Sequence, residues 1–449
     1  MGLMATASAT TVPLAAAEQT LSLSVFIADV TPPIGSPLCH GLVMPAKEIV
    51  DRLTARGIIL YGAGKPIVLC AFDWVGIANE SYDLFRQTIA KAAKTDIDRV
   101  MVHSLHQHDA PGVDIAAEKL LAQHGLAGVM SDPKFEEETL RRLTVAIQNG
   151  TNPKRVTHIG TGEALVEKVA SNRRVLGPDG KVAIVRYSSM TDPKAIAAPE
   201  GVIDPKVKLI SFWNGDKPVT AMTFYATHPQ SYYGKGGVSC DFVGLGRNLF
   251  ERGLPSVPVI HFDGAGGNIA AGKYNDGSPG NRPVLARRLA DGMKRAWDSQ
   301  KKTAIKPSDV RLAVAHTNLP ARATMKDAEL LAKLQDKKLG EKERVAAARD
   351  LIWLRRTSAG NTIPISGLHL GEARAVFLPG ELFVEYQLEA QKLGQGKFVA
   401  TAAYGDYGPG YIGTVVSYSQ GGYETSAVSL VDERTEPILL GAIKKVLGE

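Results

Sequence analysis

Four apolar runs in this chain each lead into a turn or loop carrying metal-ligand or phenolic side chains, and this recurrence constrains the fold most. Residues 99–102 read as a short buried strand, and they run into His103-Ser104-Leu105-His106-Gln107-His108-Asp109-Ala110-Pro111-Gly112. Alternate residues of a strand share a face, so His106 and His108 are expected to point into one pocket. Such a pair supplies one metal ligand and one histidine for second-shell or acid–base work. The β-branched and aromatic run 218–225 ends in Ala226-Thr227-His228-Pro229, where the proline cannot continue a ladder. Residues 373–378 end in Pro379-Gly380-Glu381, and residues 399–403 enter a glycine-rich loop that carries Tyr404, Tyr407 and Tyr411. Loops at the ends of a rigid sheet are where binding and catalytic groups are commonly assembled.

The rest of the pattern mixes hairpins with helices. Residues 58–61 and 66–72 form one expected hairpin, and residues 207–213 and 218–225 form a second around Asn214-Gly215-Asp216. Helical spacing predicts helices over residues 80–94, 132–149, 242–252, 283–299, 382–393 and 437–446. The charged stretch 325–356 is expected to form one or two solvent-facing helices, with a lid or dimer contact as the alternative. No internal repeat is legible. The fold class that follows is α/β, a layered sandwich of mixed β-sheets flanked by helices in one catalytic domain.

A hydrophobic content of 44% and a charged content of 22% place the chain among ordinary globular proteins. Its net charge of +6 comes without a basic run interleaved with aromatics, which argues against nucleic acid as a partner. No apolar stretch reaches the roughly eighteen residues that a membrane span needs. Residues 1–19 are small and weakly apolar and include Ala15-Ala16-Ala17-Glu18, similar to the tail of an export signal without its basic start. Residues 1–23 are therefore expected to be a leader or its remnant, residues 24–449 the domain, and the protein exported to the periplasm or beyond. Cys39, Cys70 and Cys240 exclude a disulfide framework and leave a single bridge open.

These motifs, in this order, resemble the neutral (non-lysosomal) ceramidases and their bacterial relatives, over residue 24 to the end. The markers are Asp29-Val30-Thr31-Pro32-Pro33-Ile34-Gly35, His106-Gln107-His108 with Pro111-Gly112, Ala226-Thr227-His228-Pro229, Pro379-Gly380-Glu381, and Tyr411 with Tyr423. The resemblance implies one zinc ion held by His106, His228, Glu381 and Tyr411. It implies that His108 contacts substrate or shuttles a proton, that Tyr423 stabilises the oxyanion, and that Arg173 in Ser171-Asn172-Arg173-Arg174 orients a small-molecule or lipid-like substrate.

The sequence departs from that family in three places. Ala270 in Gly266-Gly267-Asn268-Ile269-Ala270-Ala271-Gly272 takes the position of a serine sometimes proposed as nucleophile, which makes metal-activated water the expected attacking group. Asp109 replaces a serine that many relatives carry, and is expected to change the charge at the pocket mouth. An immunoglobulin-like segment is not expected after residues 437–446. The expectation is thus a zinc hydrolase of an N-acyl amide. An esterase, lactonase or glycan-linked hydrolase using the same site is one alternative, and a non-catalytic binding protein is another. Asp241 reads equally as a carboxylate orienting His228 or as a turn former, with Asp73 unassigned and of the same kind, and His103 reads as packed or hydrogen-bonded. The segment 264–267 lacks the Lys-Ser/Thr of a phosphate loop and is expected to hold backbone close to the metal pocket.

Overall fold

Both faces of the strand Ile67–Phe72 are apolar: Ile67, Leu69 and Ala71 join one hydrophobic cluster, while Val68, Cys70 and Phe72 join another. A strand of this kind has to be covered on both sides, which forces a layered arrangement. The computed structural model describes residues 20–150 and 152–448 of the 449. Residues 1–19, which hold most of the expected leader, lie outside the described residues. The first strand, Ser22–Asp29, begins just before residue 24, with Leu21 and Leu23 buried.

Three sheets share one construction. In the first, Ser22–Asp29, Thr54–Tyr61 and Ile67–Phe72 are antiparallel neighbours, and Val100–Ser104 pairs parallel to Ile67–Phe72 after the helix Asn79–Ala93. In the second, His158–Leu165, Lys206–Asn214 and Lys217–Tyr225 are antiparallel, and Val259–Asp263 pairs parallel to the last of them after the helix Asp241–Arg252. In the third, Val310–Thr317, Ile363–Leu370 and Ala373–Phe377 precede the helix Val384–Leu393 and the parallel strand Phe398–Ala402. The repeat absent from the sequence is therefore present in the fold, as three β-β-β-α-β units.

The inner faces of the sheets meet in one core that holds Ile58 and Leu69 of the first, Ile210 and Phe224 of the second, and Leu368 and Phe377 of the third. Helices cover the outer faces: Tyr82, Phe85 and Phe135 over the first sheet, Tyr386, Leu439 and Ile443 over the third. The layered α/β expectation holds, as do both hairpins and all six expected helices, with ends shifted by one or two residues. The charged stretch forms two helices, Asp327–Gln335 and Glu341–Ser358. The second is not solvent-facing throughout, because Val345, Ala348 and Leu351 recur at three-residue spacing under the charges and Trp353 is buried with its indole N–H on the Leu430 carbonyl at 3.1 Å. All three cysteines are buried and free.

Backbone bonds tie the parallel edges of the units together: Ser104 N–H donates to the Tyr404 carbonyl at 2.9 Å and Ala403 N–H to the Asp263 carbonyl at 2.8 Å. The first and second units are clamped by Asp73, which follows the strand Ile67–Phe72, and Arg247 on the helix Asp241–Arg252, bonded at 2.6 and 3.1 Å. Burial pushes the Asp73 carboxyl up, but Arg247 more than offsets this and holds it below the usual range. Asp73→Asn leaves the Arg247 cation buried without a counter-charge and should cost about 3–5 kcal/mol of stability in urea unfolding. A loss under about 1 kcal/mol would show that the clamp is dispensable. Because the folded pKa lies below the unfolded one, the clamp is intact above about pH 4 and is lost as pH falls through the folded value.

Candidate metal centre

The three parallel edges open their carboxyl ends onto one spot, and the candidate residues lie on the connections that leave them. The strand Val100–Ser104 stops before His106, whose backbone turns to φ +68°. His106 and His108 therefore converge through this turn and not through strand alternation; their ring centroids are 5.1 Å apart. His103, still inside the strand, is packed on Phe262 and Phe377 with Nδ1 2.7 Å from the Ala403 carbonyl, and burial pushes its pKa down to about 4. His228 leaves the second sheet and lies 4.7 Å from the His106 ring, centroid to centroid.

Carbonyls fix the two rings from behind. His106 Nδ1 is 2.7 Å from the Val75 oxygen and His228 Nδ1 is 3.4 Å from the Gly266 oxygen, so each donates there and turns Nε2 toward Glu381. Glu381 Oε2 lies 3.2 Å from His106 Nε2 and 3.9 Å from His228 Nε2. The residue is 1% exposed, and this oxygen has no hydrogen-bond partner. Burial pushes the carboxyl up, yet His106, Tyr407 and Tyr411 hold it below the usual carboxylate range. Glu381 is not in the first turn of a helix, as its sequence position suggests. It pairs with Tyr411 in a two-residue parallel ladder, which sets the two side by side.

The tyrosine-rich loop wraps this pair. Tyr404 stacks on His106 at 4.6 Å, Tyr407 donates its hydroxyl to Glu381 Oε1, and Tyr411 accepts a bond from Arg173 at 2.9 Å. Tyr418 is elsewhere, bonded to Ser429. The glycines of residues 264–267 bring backbone against the site as expected: a Cβ on Gly266 would meet the Thr227 carbonyl at 2.0 Å, and one on Gly267 the Glu381 carbonyl at 2.2 Å.

His106, His108 and His228 each bring a donor atom within 4.8 Å of the others and can hold a metal ion. The set His106, His228, Glu381 and Tyr411 also fits one, since two imidazoles, a carboxylate and a phenol can all ligate zinc and the bare Glu381 oxygen suits a cation. His108 Nε2 stands 3.4 Å from His106 Nε2, with the Gln230 side chain against its ring. Burial, then His106 and Arg173, holds His108 well below its ordinary pKa.

Arg173 is buried, paired with Glu424 at 3.3 Å, with its guanidinium 5.4 Å from the Tyr423 ring centre. Tyr423 is 38% exposed and sits beside Tyr411 and Tyr187; burial, then the Glu381 charge, raises its pKa to about 12. Asp241 does not orient His228: it pairs with Arg282 at 3.3 Å and accepts Ser231 N–H at 3.1 Å. Asp109 is not at a pocket mouth either: it is buried and accepts Gly234 N–H at 2.8 Å, and burial raises its pKa to about 6 against the pull of that bond and of Arg282. Ala270 is buried and pairs with Ser171. The sequence offers no separate role for Glu424 and Gln230, and gives Tyr407 only as one of the phenols of the glycine-rich loop. Their signal was adjacency alone, one residue after Tyr423, four before Tyr411 and two after His228.

No protein-family model and no curated protein matches the sequence. Among solved structures, the chain is similar to the neutral ceramidase from Pseudomonas aeruginosa, with a TM-score of 0.70 at 15% identity, covering 96% of this chain and 74% of that one. A ceramidase complexed with C2 superposes with a TM-score of 0.69 at 14% identity, covering 96% of this chain and 75% of that one. The chain has the ceramidase fold.

Proposed function

We propose that this chain is a zinc-dependent hydrolase that cleaves an N-acyl amide of ceramidase type with water as the nucleophile. The observation that carries the reading is the buried, unpartnered Oε2 of Glu381 between two imidazoles whose other nitrogens are already committed to carbonyls. His106, His228, Glu381 and Tyr411 are the proposed ligands. Zinc in such a site brings the pKa of a bound water to about 7 and polarises a carbonyl.

The remaining steps belong to the chain. His108 is neutral and faces the same space through Nε2, which accepts a proton from the attacking water and returns it to the leaving amine nitrogen. Water and amide thereby become a carboxylic acid and an amine. Tyr423 keeps its phenolic proton at neutral pH and supplies a donor for the oxyanion, while Arg173, fixed by Glu424, aligns the substrate beside Tyr411. The alanine at position 270 leaves no serine nucleophile there, which supports direct attack by water. Residues 24–449 are proposed as the catalytic domain. Among the described residues no helix is long and apolar enough to cross a membrane, and export is proposed from the residue pattern that precedes the domain.

Elemental analysis of the purified chain should find about one zinc per chain, lost in His106→Ala and in His228→Ala. Metal-free protein after zinc reconstitution, or full zinc in both variants, would overturn the site. His108→Ala should keep the metal and lower kcat on an N-acyl amide by about 10²–10⁴-fold. Loss of the metal in that variant would instead make His108 a ligand. Equal turnover on a matched ester and amide would widen the bond class, and turnover of the ester alone would replace it.

A further inference from the structure

Four arginines around the candidate centre are each paired with a carboxylate, two of them sharing Glu424. Arg173 is held by Glu424, Arg174 by Glu424 at 3.1 Å, Arg282 by Asp241 and Arg356 by Asp83 at 2.7 Å. Arg349 differs. Among the described residues it makes no ion pair or hydrogen bond, and its recorded contact is the face of Tyr407, with the guanidinium carbon 5.6 Å from the ring centre. Tyr407 is the residue whose hydroxyl sits on Glu381, so a single aromatic ring separates Arg349 from the proposed metal ligands.

A second observation falls on the same ring. His40 stacks on Tyr407 at 5.4 Å and 6°, is 1% exposed, and has no hydrogen-bond partner on either nitrogen. Buried imidazoles without partners are rare, because each unmatched polar atom loses its bonds to water and gains none. Cys39 and His40 both hold positive φ, at 49° and 55°, a costly conformation for residues with a Cβ. His40 and Arg349 thus lie on the same Tyr407 ring, whose centre is 5.3 Å from that of His106. The Asp114 and Asp350 carboxylates feel the charge of Arg349 without bonding it, so the guanidinium and the buried imidazole on the same ring both keep hydrogen-bonding groups that no described residue takes up.

We propose that Arg349 and His40 form an oxyanion-binding subsite beside the candidate metal centre, so that the substrate is an N-acyl compound with a carboxylate or phosphate near its amide. This rests on the hydrolase reading for the amide and on Arg349, Tyr407 and His40 for the anion. A guanidinium takes such a group through two parallel N–H bonds, and the neutral imidazole adds one more N–H.

The test is calorimetric binding of N-octanoylglycine, N-octanoylglycinamide and N-octanoyl-O-phosphoethanolamine to the full chain after chelator treatment, which removes direct metal–anion contact. The wild-type chain should bind the carboxylate about tenfold or more tighter than its neutral carboxamide. Arg349→Ala should bring the two within about twofold, and His40→Phe, which keeps the ring stack, should remove part of the preference. Tight binding by the phosphate alone would assign the subsite to a phosphorylated head group; binding by both anions assigns it to oxyanions in general. Equal affinities in the wild-type chain, no measurable binding of either anion, or a preference that survives Arg349→Ala would overturn the subsite. Turnover of the same compounds by the zinc-loaded chain separates the two proposals. An Arg349-dependent preference without turnover sinks the hydrolase and keeps the subsite, and turnover without preference does the reverse.

Discussion

Everything in this molecule depends on three parallel strand pairs presenting their carboxyl ends at one point. In each unit a hairpin strand and the strand after the crossover helix run side by side, and the chain leaves both at the same end. The first unit contributes His106 from one exit and the Val75 carbonyl that fixes it from the other. The second contributes His228 and the Gly266 carbonyl in the same way. The third contributes Glu381 and Tyr411, joined by their own short ladder. The candidate side chains thus arrive with a partner from the neighbouring exit, His106 and His228 through a ring nitrogen on a carbonyl and Glu381 with Tyr411 through a backbone ladder.

The arrangement has an electrostatic cost that explains its chemistry. A carboxylate taken out of water is destabilised by several kcal/mol unless it is paired or hydrogen-bonded. Glu381 satisfies one oxygen through Tyr407 and leaves the other bare between two imidazoles. His228 is held neutral by the same burial, so it offers a lone pair and not a counter-charge. A divalent cation meets both requirements together, which is why the site reads as a candidate metal centre from its unsatisfied atoms.

Much of this was legible in the sequence because strand exits carry strong local signals. Pro229 and the Pro379-Gly380 pair mark the ends of apolar runs, and the ligand-type residues stand next to them. Other features were silent for physical reasons. The threefold unit left no sequence period because its connections differ in length and each strand is packed against different neighbours. The strands His158–Leu165 and Val310–Thr317 carry half-exposed and charged residues that dilute the alternation. The roles of Asp109 and Asp241 depended on Arg282, a partner that lies far along the chain and has no pattern to announce it. His106 and His108 were placed together correctly for the wrong reason, since a left-handed residue and not the strand period turns them inward.

The ligands and the rim have different structural origins, and this bears on what such a fold can vary. His106, His228, Glu381 and Tyr411 all follow the strands of the repeated units, where a shift would disturb the sheets. Tyr187 lies in an excursion between His158–Leu165 and Lys206–Asn214, Tyr233 in a crossover, Tyr423 beyond the third unit, and Arg349 on a helix inserted between Val310–Thr317 and Ile363–Leu370. These segments lie outside the β-β-β-α-β arrangement that each unit repeats. The candidate metal-binding side chains are accordingly anchored in the part of the chain that builds the fold, and the residues around them in the connections between its strands. Likeness of fold to a ceramidase therefore speaks to the strands and their exits and leaves the surrounding connections to the residues of this chain.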